Sequence, residues 1–231
     1  MKKKLVISTG AGISAESGIS TFRDSGGLWD KYPVMDVASA EGFARNPALV
    51  HEFYNTRRKE LIKVEPNAAH RALVELEDLY DVNVITQNVD DLHERAGSSN
   101  VLHLHGELMK IRSMRVDSRV YELTADNLET SVDTRDAYGD PVRPHIVFFQ
   151  EAVPNIEPAI DLVQQADVFV VIGTSLNVYP AAGLLRYVRP GVPVYYIDPN
   201  PATTPAGVEV IAKKATQGVE ILKEKLLQLD K

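Results

Sequence analysis

Leu5-Val6-Ile7-Ser8-Thr9 runs directly into Gly10-Ala11-Gly12, and this junction constrains the fold more than any other stretch of the chain. A short apolar run that empties into two closely spaced glycines at the start of a helical pattern is the layout of a dinucleotide-binding turn. Small residues let the backbone approach a pyrophosphate, and the free N–H groups at the helix start face its negative charge. Ala15 stands where a strict GxGxxG would have its third glycine, and alanine there still permits close helix–strand packing. On spacing alone, an ordinary glycine-rich turn explains the run equally well.

The rest of the chain supplies the context such a turn needs. Val82–Thr86, Val101–Leu104, Val168–Ile172 and Val194–Ile197 read as buried strands of a parallel sheet, separated by longer helical patterns. Val219, Leu222, Leu226 and Leu229 fall on one face of a closing amphipathic helix. This alternation predicts an α/β fold: a Rossmann-like parallel sheet with helices on both faces. Two stretches depart from it, a helical one over about 31–67 and a polar, acidic, weakly periodic one over about 109–143. We read them as insertions that form a smaller lobe on a single domain spanning 1–231, with the core at about 1–30, 68–108 and 144–231.

Composition removes several classes of function. The net charge of −7 argues against a general nucleic-acid binder, which needs a basic face to neutralise phosphates. No apolar run approaches the roughly 20 residues of a membrane span, and Leu5–Ser8 is far too short for a signal-peptide core. A cytoplasmic monomer with no membrane or nucleic-acid partner is therefore the expectation. There is no cysteine, so disulfides and thiolate metal sites are excluded.

Two further clusters sit at predicted strand ends, where ligands bind in doubly wound sheets. The first is Thr86-Gln87-Asn88-Val89-Asp90-Asp91-Leu92-His93, in which Asn88 or Asp90 could simply cap a helix. The second is Leu102-His103-Leu104-His105-Gly106, where His103 reads as a structural hydrogen-bonder. A neutral imidazole at His105 is suited to accept a proton, because its ordinary pKa lies near neutrality.

The full run Gly10–Arg23 resembles the sirtuin signature GAGIS-x-x-SGI-x-x-FR, and Thr86–His93 is similar to that family's TQN-[IV]-D-x-LH motif. His105-Gly106 matches its LHG motif, Gly173–Pro180 its GTSL-x-V-x-P, and Arg143–Glu151 its RPHVVWFGE, all in the family order. The resemblance implies an NAD-dependent protein-lysine deacylase. It places Gly10, Ala11, Gly12, Ile13, Ala15, Glu16, Thr21 and Trp29 around the dinucleotide, with Phe22 shielding the reaction from water and Arg23 contacting phosphate or positioning the nicotinamide-side loop. Gln87 and Asn88 would contact the nicotinamide ribose beside Val89, and Asp90 would hold the carboxamide. Gly173, Thr174 and Ser175 would border the adenosine side, together with Asp198, Pro199, Asn200 and Ala215. His105 would be the general base that activates a ribose hydroxyl after the acyl oxygen has displaced nicotinamide, with Asn88 as the second catalytic residue. Acylated lysine side chains of proteins would be the substrate, flanked by Val147, Phe149, Asn177, Val178 and Tyr179.

Four departures accompany the resemblance. Phe148 replaces the usual tryptophan, and Gln150 replaces a glycine where the substrate backbone approaches. Ile197-Asp198-Pro199-Asn200 takes the place of a family Ile-Asn-x-Glu at its strand end. Ile111-Arg112-Ser113 stands where the first cysteine pair of a structural zinc would begin, so no zinc is expected; Val116, Val120, Tyr121 and Leu123 are expected to hold that lobe as a short hairpin. Tyr54 and Arg57, three apart on a predicted helix, share a face and resemble the Tyr-x-x-Arg signature of desuccinylase-type sirtuins. That pair implies succinyl or malonyl as the acyl group, with acetyl additional, and gives the neighbouring Arg58 a lesser part. Two other activities stay open on these residues. One is protein ADP-ribosyl transfer; the other is non-catalytic NAD or ADP-ribose sensing, which retention of His105 disfavours.

Overall fold

The structure, a computed structural model, describes residues 2–21 and 32–229. In chain order it contains β1 (Lys4–Thr9), α1 (Val34–Val37), α2 (Ala40–Arg45), α3 (Pro47–Leu61), α4 (Ala68–Leu76), β2 (Asp81–Thr86) and α5 (Leu92–Ala96). There follow β3 (Val101–His103), β4 (Gly106–Ser113), β5 (Val120–Glu122), β6 (Val142–Ile146), α6 (Ile156–Gln164), β7 (Val168–Ile172), β8 (Val194–Ile197), β9 (Val208–Ile211) and α7 (Ala215–Leu229).

The large sheet has the order β3-β2-β1-β7-β8-β9 and is parallel throughout, with β1 paired to β2 on one side and to β7 on the other. Alternate residues of a strand face opposite sides, so a sheet covered on both faces needs continuous apolar strands. Leu5, Ile7 and Val170 pack with Leu73 of α4 and with Val219 and Leu222 of α7. Val6, Phe169 and Val171 pack on the other face with Ala159 and Val163 of α6. The predicted strands and closing helix are all present. β9 is an addition that sequence reading passed over, because Val208-Glu209-Val210-Ile211 is short and lies at an exposed edge. The turn after β1 holds two short 3₁₀ segments, Ala11–Ile13 and Ala15–Ser17, where a longer helix was expected. None of the described helices is long and apolar enough to cross a membrane.

The smaller lobe combines α1–α3 with an antiparallel sheet of order β5-β4-β6. Asn46 caps α3, its side chain accepting from Leu49 N at 3.1 Å, and Pro47 occupies the first turn. The expected hairpin forms between β4 and β5, but only half of its proposed core is apolar packing. Tyr121 and Leu123 join Ile111 and Val142, whereas Val116 and Val120 are exposed because they lie at the hairpin's solvent side.

Candidate active site

The loops after β1, β2, β7 and β8 meet at the C-terminal edge of the large sheet, where β1 is flanked by β2 and β7 and the winding reverses. The glycines serve first to let two of these loops touch. Gly12 N donates to Gly173 O at 2.8 Å, and a Cβ on Gly12 would lie 2.6 Å from Gly173 Cα. Gly173 itself has φ 64°, a left-handed conformation that favours glycine. Across the same edge, Gln87 Nε2 donates to Thr174 Oγ1 at 3.3 Å.

Beneath this edge lies a buried polar relay. Asn88 Nδ2 donates to Ser14 Oγ at 3.1 Å, and the Ser14 hydroxyl donates to Asp90 Oδ2 at 3.0 Å. Leu92 N donates to Asp90 Oδ1 at 3.2 Å. Burial pushes the Asp90 carboxyl above the usual carboxylate range, although the bonds from Leu92 and Ser14 act against this. Ser14 is the residue that sequence reading missed. Its signal was available, since a serine inside a ligand-binding turn has a hydroxyl that can both give and accept.

His105 faces the same space from the end of β3. Its Nδ1 lies 3.0 Å from the Gln87 carbonyl, an acceptor, so Nδ1 carries the proton and Nε2 presents a lone pair. Among the described residues Nε2 has no hydrogen-bond partner. Burial holds the imidazole below its ordinary pKa, with the Gln87 bond opposing, which keeps it neutral near pH 7. Val147 N donates to His105 O at 3.0 Å and so ties the segment after β3 to the segment after β6.

The remaining predicted dinucleotide contacts distribute around this centre. Ile13 and Ala215 are buried, Ala11 and Thr21 partly buried, and Val89 O accepts from Leu108 N at 2.7 Å. Ala15 is exposed, and the Glu16 carboxylate is bound to Thr216 N at 3.0 Å, tying the turn to α7. Asp198 is buried, with Oδ1 accepting from Asn200 N at 2.8 Å; Pro199 and Asn200 are exposed and Ser175 is partly buried. Phe22, Arg23 and Trp29 lie outside the described residues.

On the lobe side, α3 brings Tyr54 and Arg57 toward the site. Tyr54 is 2% exposed, edge-on to Phe53 at 5.1 Å and stacked obliquely on Phe148 at 6.0 Å. Burial raises the Tyr54 hydroxyl to about 12, and no hydrogen bond reaches it among the described residues. Arg57 is partly buried, and burial lowers its pKa against the charges of Tyr54, Asp90 and Glu60. Asp90 and Arg57 therefore feel one another across the boundary between the lobes. Arg58 is fully buried and turned away from this face: Nε donates to Leu108 O at 2.8 Å and Nη1 to Asn55 Oδ1 at 2.9 Å.

The substituted glycine position is explained by its geometry. Gln150 has φ 76°, the conformation a glycine adopts freely, and its Oε1 accepts from Glu41 N at 3.2 Å. The side chain is thus directed to the start of α2. Phe149 pairs through N with Ala38 O at 2.8 Å and through O with Ala40 N at 3.1 Å, leaving its ring 42% exposed. Asn177, Val178 and Tyr179 are exposed in the loop after β7.

The Sir2 family profile matches residues 10–180. The chain is 56% identical to an NAD-dependent protein deacylase of Bacteroides thetaiotaomicron, covering 97% of this chain and 98% of that one. It is 50% identical to an NAD-dependent protein deacylase of Helicobacter pylori, covering 98% and 99%. Among solved structures it superposes on a complex of a Sir2 homolog with NAD with TM-score 0.86 at 38% identity, covering 99% of this chain and 91% of that one. A Sir2 protein with a deacetylated p53 peptide and 3'-O-acetyl ADP-ribose superposes with TM-score 0.80 at 31% identity, covering 97% and 94%.

Proposed function

The chain belongs to the Sir2 family and is an NAD-dependent protein deacylase, and from that premise we propose that it removes succinyl and malonyl groups, with acetyl as an additional substrate, from protein lysines. The observation that carries the acyl preference is the pairing of Tyr54 and Arg57 on one face of α3, with a buried phenol that no group among the described residues hydrogen-bonds. A phenol donor beside a guanidinium can bind a small carboxylate, and arginine can engage both of its oxygens.

NAD is consumed as co-substrate. In this reading Asp90 and Asn88, joined through Ser14, hold the nicotinamide end in place. Expulsion of nicotinamide from the ribose C1′ is coupled to attack by the acyl oxygen of the lysine. His105 Nε2 then takes the proton of a ribose hydroxyl, which attacks the carbon of the former amide. Water completes the balance, and the products are free lysine, nicotinamide and O-acyl-ADP-ribose. The lone pair on Nε2, fixed by the Nδ1 bond to Gln87, supports His105 in this role.

A structural zinc of the family type does not fit this chain. The strand that would begin its ligand set carries Ile111, Arg112 and Ser113, there is no cysteine, and no metal-holding group of His, Asp and Glu occurs among the described residues. Tetrahedral zinc sites are built from Cys and His.

Paired kinetics on succinyl-, malonyl- and acetyl-lysine peptides of one sequence test the reading. Tyr54→Phe and Arg57→Met should raise KM for the acidic peptides about tenfold, the size of one charge-assisted hydrogen bond, and spare acetyl. Equal treatment of all three peptides by parent and variants would remove the acidic pocket. Mass spectrometry of the products separates O-acyl-ADP-ribose from ADP-ribosylated peptide.

A further inference from the structure

His103 ends β3 two residues before His105, and its buried side chain lies between two acceptors. Nδ1 is 3.0 Å from the backbone oxygen of Asn88, and Nε2 is 2.8 Å from Glu94 Oε1 on α5. A carbonyl oxygen and an ionised carboxylate can only accept. A neutral imidazole offers one N–H and one lone pair, so either tautomer would aim a lone pair at an oxygen. Only the imidazolium satisfies both contacts. The same Asn88 donates its side-chain amide to Ser14, so its residue is gripped from both ends.

We propose that His103 is a positioning residue for the nicotinamide-side loop: held as an imidazolium by Glu94, it fixes the backbone of Asn88, and its loss of a proton frees that loop and sets the alkaline limit of deacylation. The inference rests on the assignment of Asn88 and His105 to the reaction. On proton loss the ring keeps the stronger bond, to the Glu94 carboxylate, and Nδ1 then turns a lone pair on the Asn88 carbonyl.

The surrounding charges agree with this geometry. Burial alone would lower His103, but the hydrogen bond and charge of Glu94, with Glu107 of β4 behind them, hold it above its ordinary value. Asp90 of the loop after β2 also faces it, as does His93 of α5, which burial keeps neutral. Burial would raise Glu94, but His103 and Lys110 of β4 keep it ionised. His105 is shifted the opposite way, so two histidines at one strand end bound the activity from both sides. The rate rises as His105 loses its proton and falls as His103 does.

The test is kcat/KM for NAD from pH 5 to 10, run beside an NMR titration of the His103 ring, on the parent, Glu94→Gln and His103→Gln. The parent ring should titrate above 6.5, and the rate should fall about tenfold per pH unit beyond that midpoint. In Glu94→Gln the ring midpoint should drop by about 1–3 units. Its neutral ring can still donate from Nδ1 to Asn88 while Nε2 accepts from the carboxamide, so the alkaline fall should disappear. His103→Gln should lower the rate without any alkaline fall. A merely structural role would lower the rate at every pH and leave the alkaline midpoint in place, which would overturn the proposal, as would a parent ring titrating at or below 6.5. Failure of His105 as base would show separately, as an acid limb that does not follow the His105 resonance.

Discussion

The large sheet and the outer part of the small sheet are held together by different physics, while α1–α3 keep an apolar cluster of their own around Val50, Phe53 and Phe148. The large sheet is sealed on both faces by apolar layers, with Leu5, Val6, Ile7, Phe169 and Val170 wholly buried. Around the outer part of the small sheet the buried apolar cluster among the described residues is Ile111, Leu123 and Val142. There, directed polar contacts take over. Arg119 brackets Asp136 at 3.1 Å and Asp140 at 2.5 Å, and Arg143 binds Glu151 at 2.5 Å. Arg58, with no carboxylate partner among the described residues, reaches from α3 to the Leu108 and Leu128 carbonyls. Apolar burial is non-directional and adds over a large area, whereas a polar clamp depends on each partner in turn. The difference teaches where the chemistry can sit. On the proposed function, the acid–base centre is built at the edge of the sealed sheet, and the acyl-facing side chains Tyr54 and Arg57 are carried by α3 of the smaller lobe.

The largest effect that would break this division is at His105. His105→Ala should fold, bind NAD, and lose about 10²–10⁴ in kcat, the contribution of a general base, equally for every acyl peptide. A loss confined to acidic acyl groups would mean that the centre and the acyl pocket are not separable in this way.

Stability sharpens the same contrast. Leu73→Ala removes a wholly buried side chain between α4 and the large sheet, and should cost about 2–5 kcal/mol in one global transition. Arg58→Met leaves the Leu108 and Leu128 carbonyls without a donor, for a loss of about 1–3 kcal/mol. Its effect should be local: amide exchange should quicken in β4 and in residues 128–130 while β1 and β7 stay protected. A uniform gain in exchange across both sheets would show that the lobes unfold as one unit.

The sealed half was legible in the sequence and the clamped half much less so. Val168–Ile172 declares itself as a strand because a sheet covered on both faces demands a continuous apolar run. The turn glycines, Asn88, Asp90 and His105 lie at ends of such strands, where periodicity and motif spacing coincide. In the small lobe, Arg58 reads as an ordinary surface arginine, since nothing local announces carbonyl acceptors 50 and 70 residues further along. Val116 and Val120 read as core for the opposite reason, because β-branched residues suggest burial that the short hairpin does not provide. Ser14 stood in the binding turn with a legible hydroxyl but no acceptor nearby in sequence, and the glycine that Gln150 replaces hinted at its positive φ but not at the contact with α2.

The smallest effect at neutral pH becomes informative in acid, because each lobe contains a buried neutral histidine that can be replaced separately. His70 of α4 accepts at Nδ1 from Asn67 N at 3.3 Å in a capping box, and His51 of α3 lies 2.8 Å from Thr130 Oγ1. Burial lowers each to about 4, helped by the nearby charge of Arg71 for His70 and of Arg58 for His51. In the unfolded chain both titrate near 6.5, so between those values the unfolded state binds more protons. The stability these groups confer is whole above pH 6.5 and is lost as pH falls from there toward 4. Glutamine can replace each ring without a charge to bury, and it is itself a capping-box residue at the His70 position. At pH 7, His51→Gln and His70→Gln should therefore stay within about 1 kcal/mol of the parent. Between pH 6.5 and 4, His51→Gln should blunt the acid loss seen by β4 amides, and His70→Gln the loss seen by β1 and β2 amides. If either variant blunted both losses alike, one titration would control both lobes, and the division between sealed and clamped halves would not extend to their acid stability.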